Sequence, residues 1–346
     1  MSLVLDVTKC GAVSAVGLTA PQSCAAIRAG ISGFREAYFP PPPDEPLLGA
    51  PVPARDNLKR TPREWLLNLA AKAIQECADG VDASLRTAIL INLPEAKREH
   101  PALAGASVAE FTRNLQERVG ACCHGPVFAI QAGHAGALSL LEHARDLLRK
   151  GEVDRCVVGG VDSLLNGRDV ERLRKSYRIR GLENAHGVIL GEGAAFVMIS
   201  AAKRFPHPLA RILGVGVSQE TDTVLGPRFS QGRGLQSAMN LAVKDSDLSE
   251  STISFRVSEV NGERYREWES LLAGTRFYRT RREHLPCWYV APAVGDLGAA
   301  AGTLSLIVAA TAISRGYAPG QTAMCEASSD EGLRATCLVG SLRQYA

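Results

Sequence analysis

The chain has 346 residues, of which 46% are apolar and 22% are charged, and its formal net charge is +3. This length supports one large or two medium domains with a full hydrophobic core, and the balance is that of a folded globular protein. The net charge is too small, and the two signs are too well mixed, for a nucleic-acid-binding surface.

The cysteines and the N-terminal residues are the sequence features that predict where in the cell the protein is located. There are nine cysteines without a Cys-x-x-Cys pair, which predicts reduced thiols and a cytoplasmic protein. Asp6 and Lys9 interrupt the apolar core that a signal peptide needs, and no apolar run is long enough for a transmembrane helix, so we expect no membrane insertion. Cys122, Cys123 and His124 lack a second ligand cluster, so we expect no metal and no cofactor.

The first part of the chain alternates between apolar runs and helical patterns. The predicted elements are a strand at 3–7 that runs on through 11–18 into a Gly/Ser turn, a helix at 21–29 that ends at Gly30, a proline-rich surface loop at 36–62 that contains Pro40 to Pro43, a helix at 63–79, a strand at 86–92 and a helix at 107–119.

The central stretch has the clearest pattern. Val127 to Ile130 form a short apolar run, residues 131–133 form a turn, and apolar side chains at helical spacing predict a helix from Ala135 to Lys150, capped by Gly151. Residues 155–161 predict another buried strand. Strand, helix and strand of these lengths are typical of a right-handed βαβ unit.

A similar order of elements recurs in the second part. The predicted elements are a glycine-punctuated strand pair at 187–199, strands at 210–218 and near 255–260, a helix from about 264, a strand at 287–291, a helix at 298–314 and a strand near 335–341. This recurrence predicts two similar α/β halves. The densest basic run fits either a solvated helix face and loop or a docking patch for an acidic partner; it consists of Arg172, Arg174, Lys175, Arg178 and Arg180.

Several segments resemble those of β-ketoacyl synthases, in the same order. They are GAVSAVGLTAPQSCAAIRAGISGF at 11–34, GHAGALSLLEHARDLLRKGEVDRCVVGGVDSL at 133–164, GVILGEGAAFVMI at 187–199, ARILGVGVS at 210–218 and VGDLGAAAGTLSLI at 294–307. The resemblance implies a five-layered αβαβα thiolase-like fold, with halves at 1–209 and 210–346. It also implies a homodimer, or a heterodimer with a synthase-like subunit, and an acyl carrier protein as a further partner.

The resemblance also identifies the positions of the family's Cys-His-His condensation residues. His134 stands where the family has its cysteine nucleophile and where non-condensing chain-length-factor subunits have glutamine; Glu263 and Asp296 stand where the family has its two histidines. The expected lysine falls at Ala291, and the gating loop matches Ser328 to Leu333 without its aromatic residue. An imidazole at a helix N-terminus is expected to be neutral.

These departures set the functional expectation. Condensation places negative charge on a thioester oxygen, which neutral imidazoles stabilise and carboxylates repel. We therefore expect a non-condensing partner or acyl-binding subunit of fatty acid or polyketide-type metabolism. The alternative is an enzyme with altered chemistry, either acyl thioester hydrolysis or acyl transfer, that uses His134 with Glu263 and Asp296 as a general-base site. Both readings place the three side chains in one site.

Overall fold

The computed structural model describes residues 3–37, 46–53, 61–105, 107–120, 122–182 and 184–342. The run from Pro40 to Pro43 lies outside the described residues. The described residues contain twelve β-strands and nine α-helices, which fall into two successive sets.

The first set contains seven strands and five helices. They are β1 (Leu5–Val13), α1 (Ala20–Arg28), β2 (Arg35–Ala37), β3 (Leu47–Ala50), α2 (Pro62–Ala78), β4 (Thr87–Leu93), α3 (Val108–Val119), β5 (Val127–Gln131), α4 (Gly133–Arg149), β6 (Arg155–Ser163), α5 (Gly167–Lys175) and β7 (Leu190–Ala201). Local signals explain several of these boundaries. Thr61 and Glu64 form a capping box at the start of α2, and Gly151 follows α4 with a left-handed φ of 68°.

The second set repeats the strand pattern. It contains β8 (Ala210–Gln219), α6 (Arg233–Ser246), β9 (Phe255–Ser258), α7 (Arg264–Phe277), β10 (Cys287–Tyr289), α8 (Ala291–Val294), α9 (Ala301–Ser314), β11 (Thr322–Ser328) and β12 (Leu333–Gly340). A short 3₁₀ turn at Gly298–Ala300 precedes α9. The helix α9 has no charged residue, and eleven of its 14 residues are buried, as expected for a helix with protein on all sides.

The two sets have the same sheet topology. The strand order is β5-β4-β6-β7-β1 in the first set and β10-β9-β11-β12-β8 in the second. Within each set, the first three strands in this order run parallel to one another, and the last two strand pairings are antiparallel. An antiparallel pairing of β1 with β8 joins the sheets. The predicted repetition of two α/β halves is therefore confirmed.

The core shows the five layers. Alternate residues of β4 face opposite sides: Leu90 packs in the central cluster with α4 and α9, whereas Ile89 and Ile91 pack in an outer cluster with α2 and α3. On the other sheet, Cys325 of β11 faces the central cluster and Met324 faces an outer cluster with α6 and α7. The order is thus helices, sheet, central helix pair, sheet and helices, which confirms the predicted αβαβα architecture.

Four expectations need correction or completion. Residues 187–199 were predicted as a strand pair, but β7 is one continuous strand. Its glycines allow close packing and do not form a turn, since a Cβ on Gly193 would lie 2.5 Å from the carbonyl oxygen of Val13. The predicted loop at 36–62 includes the end of β2 and the whole of β3. The predicted βαβ unit holds, but β4 lies between its two strands. The helices α6 and α8 and the strand β11 were not predicted, and α5 was anticipated only as one interpretation of the basic run.

Among the described residues, no helix combines the length and apolar character that crossing a membrane requires.

Candidate functional site

His134 is the second residue of the central helix α4. The chain leaves β5 at Gln131 and enters the helix through Gly133, whose φ of 61° favours glycine. A Cβ on Gly133 would also lie 2.7 Å from Cγ of Glu95. This tight turn places His134 at the head of the helix with only 5% of its surface exposed.

The imidazole of His134 is paired with a buried carboxylate. Its Nε2 lies 2.7 Å from Oδ1 of Asp296. The same oxygen accepts a hydrogen bond from the N–H of Gly298 at 2.7 Å, and Oδ2 accepts one from Nδ2 of Asn261 at 2.7 Å. Burial alone would raise the pKa of Asp296, but His134, Arg266 and these donors hold its pKa well below the ordinary value. Asp296 is therefore an anion at neutral pH.

Glu263 joins the same cluster through Asn261 and Arg178. Nδ2 of Asn261 also donates to Glu263 Oε2 at 3.1 Å, so this amide connects Glu263 with Asp296. Nε and Nη2 of Arg178 donate to the two carboxylate oxygens of Glu263 at 2.6 and 2.9 Å. The structure thus brings the three predicted residues into one buried cluster. His134 contacts Asp296 directly, and Asn261 bridges Asp296 and Glu263.

Two arginines and a third carboxylate of this cluster were not predicted. Arg178 also donates to Asp330, through Nη1 at 2.7 Å and Nη2 at 3.1 Å. Arg266 binds the same carboxylate at 2.7 Å and Glu259 at 3.1 Å. Arg178 belongs to the basic run that was interpreted as a solvated face or docking patch. For this residue both interpretations are wrong, because its side chain is only 10% exposed and points into the site.

The charge balance of the cluster explains the protonation of His134. Four carboxylates surround two guanidinium groups; the acids are Asp296, Glu263, Glu259 and Asp330. Burial and Arg266 favour the neutral ring, but the charge and the hydrogen bond of Asp296, together with the charge of Glu259, outweigh them and raise the pKa of His134 to about 9. Nη2 of Arg266 lies 3.3 Å from Nδ1, a contact between two donors when the ring is protonated. The expectation of a neutral imidazole is therefore wrong, because buried carboxylates distant in sequence stabilise the charged ring.

The loop that follows β11 occupies the head of α4. Oγ of Ser329 accepts a hydrogen bond from the N–H of Ala135 at 2.9 Å and donates to the carbonyl oxygen of Ala132 at 2.5 Å. Arg266 donates to the carbonyl oxygen of Ser328. A free helix N-terminus attracts anions; here a side chain from the second half of the chain engages one of its N–H groups.

The alanine and the two cysteines singled out in the sequence contribute no side chain to this cluster. Ala291, where the family has a lysine, is buried at the start of α8. Cys123 is buried and Cys122 is half-buried in the connection between α3 and β5. In the portion of the chain that the structure describes, no three His, Cys, Asp or Glu side chains are placed to hold a metal ion. The carboxylates around His134 are instead paired with arginines.

Comparison with known proteins agrees with this architecture. Residues 120–204 match the family described as beta-ketoacyl synthase, N-terminal domain. The chain is 26% identical to 6-methylsalicylic acid synthase of Penicillium expansum over 221 residues, which is 59% of this chain and 12% of that protein. It is 28% identical to polyketide synthase GfsA of Streptomyces halstedii over 211 residues, 56% of this chain and 3% of that protein. The chain thus spans a small fraction of these relatives.

Solved structures share the whole fold. The ishigamide ketosynthase/chain length factor superposes with a TM-score of 0.79 at 18% identity, covering 99% of this chain and 100% of that one. A ketosynthase in complex with its chain length factor from Xenorhabdus doucetiae gives 0.77 at 16% identity, covering 98% of each chain. The fold is therefore that of the thiolase-like ketosynthases. The family match and the relatives agree with this fold: β-ketoacyl synthases are the proteins to which this chain is similar.

Proposed function

We propose that this chain is a non-condensing, ketosynthase-like subunit that serves as a partner or acyl-binding subunit in polyketide or fatty acid-type assembly. The observation that carries the proposal is the ion pair between His134 and Asp296 at the head of the central helix. Arginines and Ser329 enclose this pair. The site is thus built around internal charge pairing.

The chemistry of this cluster is unsuited to condensation. On the proposed alignment, an imidazolium stands in place of the thiolate that would attack a thioester carbon, and this cation has no lone pair free for attack. Asp296, an anion, and Glu263, ion-paired with Arg178, stand in place of neutral donors. Loss of one oxyanion donor typically costs about a hundredfold or more in rate. Both changes act in the same direction, so we expect no ordinary 3-oxoacyl-carrier-protein synthase activity.

The edge of the first sheet supports a partner role. Within the described sheet, β5 pairs only with β4, and its five residues are all half-buried. An open edge strand offers unpaired backbone groups to a second chain. Because β5 leads directly into the turn before His134, a partner docked there would lie beside the site. Among the solved neighbours are a ketosynthase in complex with its chain length factor and an acyl-carrier protein in complex with its ketosynthase.

We therefore propose a heterodimer with a synthase-like subunit, or a homodimer, that uses this edge and works with an acyl carrier protein. The nine unpaired cysteines support a cytoplasmic location. The two halves are proposed to divide at 209/210, where β8 begins with Ala210.

A second candidate function is hydrolysis or transfer of an acyl group from a thioester. The 2.7 Å contact between His134 and Asp296 favours it, because a carboxylate-oriented histidine is a known general-base arrangement. However, its raised pKa keeps the imidazole protonated at neutral pH, and its second nitrogen faces Arg266. This geometry favours the partner role over the enzymatic one.

Reconstitution with a ketosynthase encoded beside this chain, and with that system's carrier protein, tests the proposal. We expect a stable complex that makes product from acyl and malonyl thioesters, while the isolated chain makes none. His134→Gln is expected to leave the activity of the complex unchanged, as is the matched control His143→Gln on the exposed face of α4. Thioester hydrolysis by the isolated chain that disappears in His134→Gln alone would favour the second candidate. Failure to form any complex would contradict the partner role.

A further inference from the structure

A cleft lies between α1, β10 and the C-terminal end of α9. It consists of two adjoining cavities of about 720 and about 430 Å³ that share Cys24, Arg28 and Tyr317. The helix α9 begins beside His134, since a Cβ on Gly302 in its first turn would lie 2.9 Å from the carbonyl oxygen of that residue. Its 14 residues span about 20 Å, and the larger cavity meets its last turn. This cavity is therefore separate from the His134 cluster.

One arginine in this cleft is held by a row of packed aromatic rings and not by a carboxylate. The guanidinium carbon of Arg28 lies 4.1 Å from the centre of the Tyr317 ring. The Tyr317 ring stacks on Trp288 with centroids 6.3 Å apart, and Trp288 packs on Phe255 at 5.0 Å. A stacked guanidinium keeps its N–H groups in the ring plane free for a planar acceptor. Arg28 is thus fixed in position with its donors available.

The cleft carries an excess of positive charge. Arg28 and Arg315 both line the larger cavity, and within the described residues neither takes part in an ion pair. They lie at the C-terminal ends of α1 and α9, where each helix contributes roughly half a negative charge, so two full positive charges outweigh the helix ends. The last carbonyls of both helices already accept backbone N–H groups. The nearby Glu76 carboxylate accepts the N–H groups of Ala12 and Ala20 and does not line the cavity.

The rest of the cleft is uncharged and mostly apolar, with the hydroxyl groups of Thr311 and Ser314 at the larger cavity. The larger cavity is lined by Cys10, Cys24 and Leu209, and the smaller by Ile27 and other apolar or aromatic side chains. Burial raises the pKa of Cys10 to about 12, so this thiol stays protonated at neutral pH. An apolar trough with unpaired guanidinium groups at one end matches a molecule with a hydrocarbon chain and an anionic head.

We propose that this cleft is a binding site for a small amphipathic carboxylate, with the carboxylate bound by Arg28 and Arg315 and the hydrocarbon chain lying against Tyr317 and Trp288. The straight-chain acid octanoate is the probe, and its uncharged counterpart 1-octanol separates charge recognition from apolar binding. This site does not depend on the His134 cluster or on the proposed partner role.

Calorimetric titration of the whole chain tests the site. Octanoate is expected to bind the wild type, with about tenfold or greater loss of affinity in Arg28→Gln and in Arg315→Gln and unchanged affinity in the exposed control Arg113→Gln. Ala25 lies on the exposed face of α1 and lines the cavity, so Ala25→Trp is expected to fill it and abolish binding while the melting temperature is retained. 1-Octanol is expected to bind at least about tenfold more weakly than octanoate.

Three results would overturn the proposal. They are no octanoate binding to the folded wild type at low millimolar concentration, undiminished binding in folded Ala25→Trp, and equal affinity for octanoate and 1-octanol.

Discussion

Removal of the imidazole in His134→Gln should change how stability depends on pH. In the folded chain the pKa of His134 is raised from 6.5 to about 9, which corresponds to about 3 kcal/mol of stabilising interaction with the protonated ring. Because the folded pKa is the higher one, this stabilisation is fully present below pH 6.5 and is lost as pH rises through about 9. The wild type should therefore lose about 3 kcal/mol from this group across that window.

Urea unfolding at several pH values between 6 and 9.5 measures this effect as a difference between proteins. The buried cysteines also respond to alkaline pH, but they are common to the wild type and His134→Gln and cancel in the difference. The wild-type free energy of unfolding should fall more steeply with pH than that of the variant. His143→Gln, on the exposed side of the same helix, should retain the wild-type slope. Equal slopes for wild type and His134→Gln would refute a charged imidazole at this position.

Three further predictions concern the same cluster and the fold. Arg178→Gln removes the bidentate partner of Glu263 and one of the two guanidinium groups that bind Asp330, so it should destabilise the chain by about 3–5 kcal/mol in urea unfolding. The exposed control Lys175→Gln should leave the unfolding midpoint unchanged, and similar midpoints for the two variants would contradict a structural role for Arg178. Gly193→Ala should lower the free energy of unfolding by about 1–3 kcal/mol, because the added Cβ would meet the backbone of β1. The control Gly167→Ala has open space at its Cβ and should not lower the stability. Equal effects of the two substitutions would show that β7 does not pack so closely on β1. His134→Cys should place a thiol at the head of α4 without producing condensation, because Asp296 and Glu263 remain; a ketoacyl product detected by mass spectrometry would contradict that reasoning.

The sequence predicted the elements whose signals are local. The helix that became α4 shows regular apolar spacing, and Gly151 marks its end. A glycine can mark either a turn or a close approach of two backbones, and for this reason β7 was wrongly predicted as a strand pair. In the structure, Gly193 allows β7 to approach β1 closely. The strand β11 is rich in small residues and has a single β-branched residue, Thr322, so its pattern was weak.

The candidate site could be predicted in position but not in charge. The resemblance named His134, Glu263 and Asp296 as one site, and in the structure their side chains lie in one cluster. The partners of Arg178 lie 85 and 152 residues away in sequence, and no local pattern shows that a basic run contributes a buried side chain. The Asp296 that reverses the expected protonation of His134 is 162 residues distant. Only the tertiary structure brings these charges together.

The most direct test of the central claim is release of CO₂ from a malonyl thioester by the purified, isolated chain in the presence of an acyl thioester. We predict release no faster than in buffer, with no β-ketoacyl product, at every pH from 6 to 9. Acyl-dependent CO₂ release that falls to the buffer rate in His134→Gln would show that the imidazole at the head of α4 supports condensation, and would contradict the account.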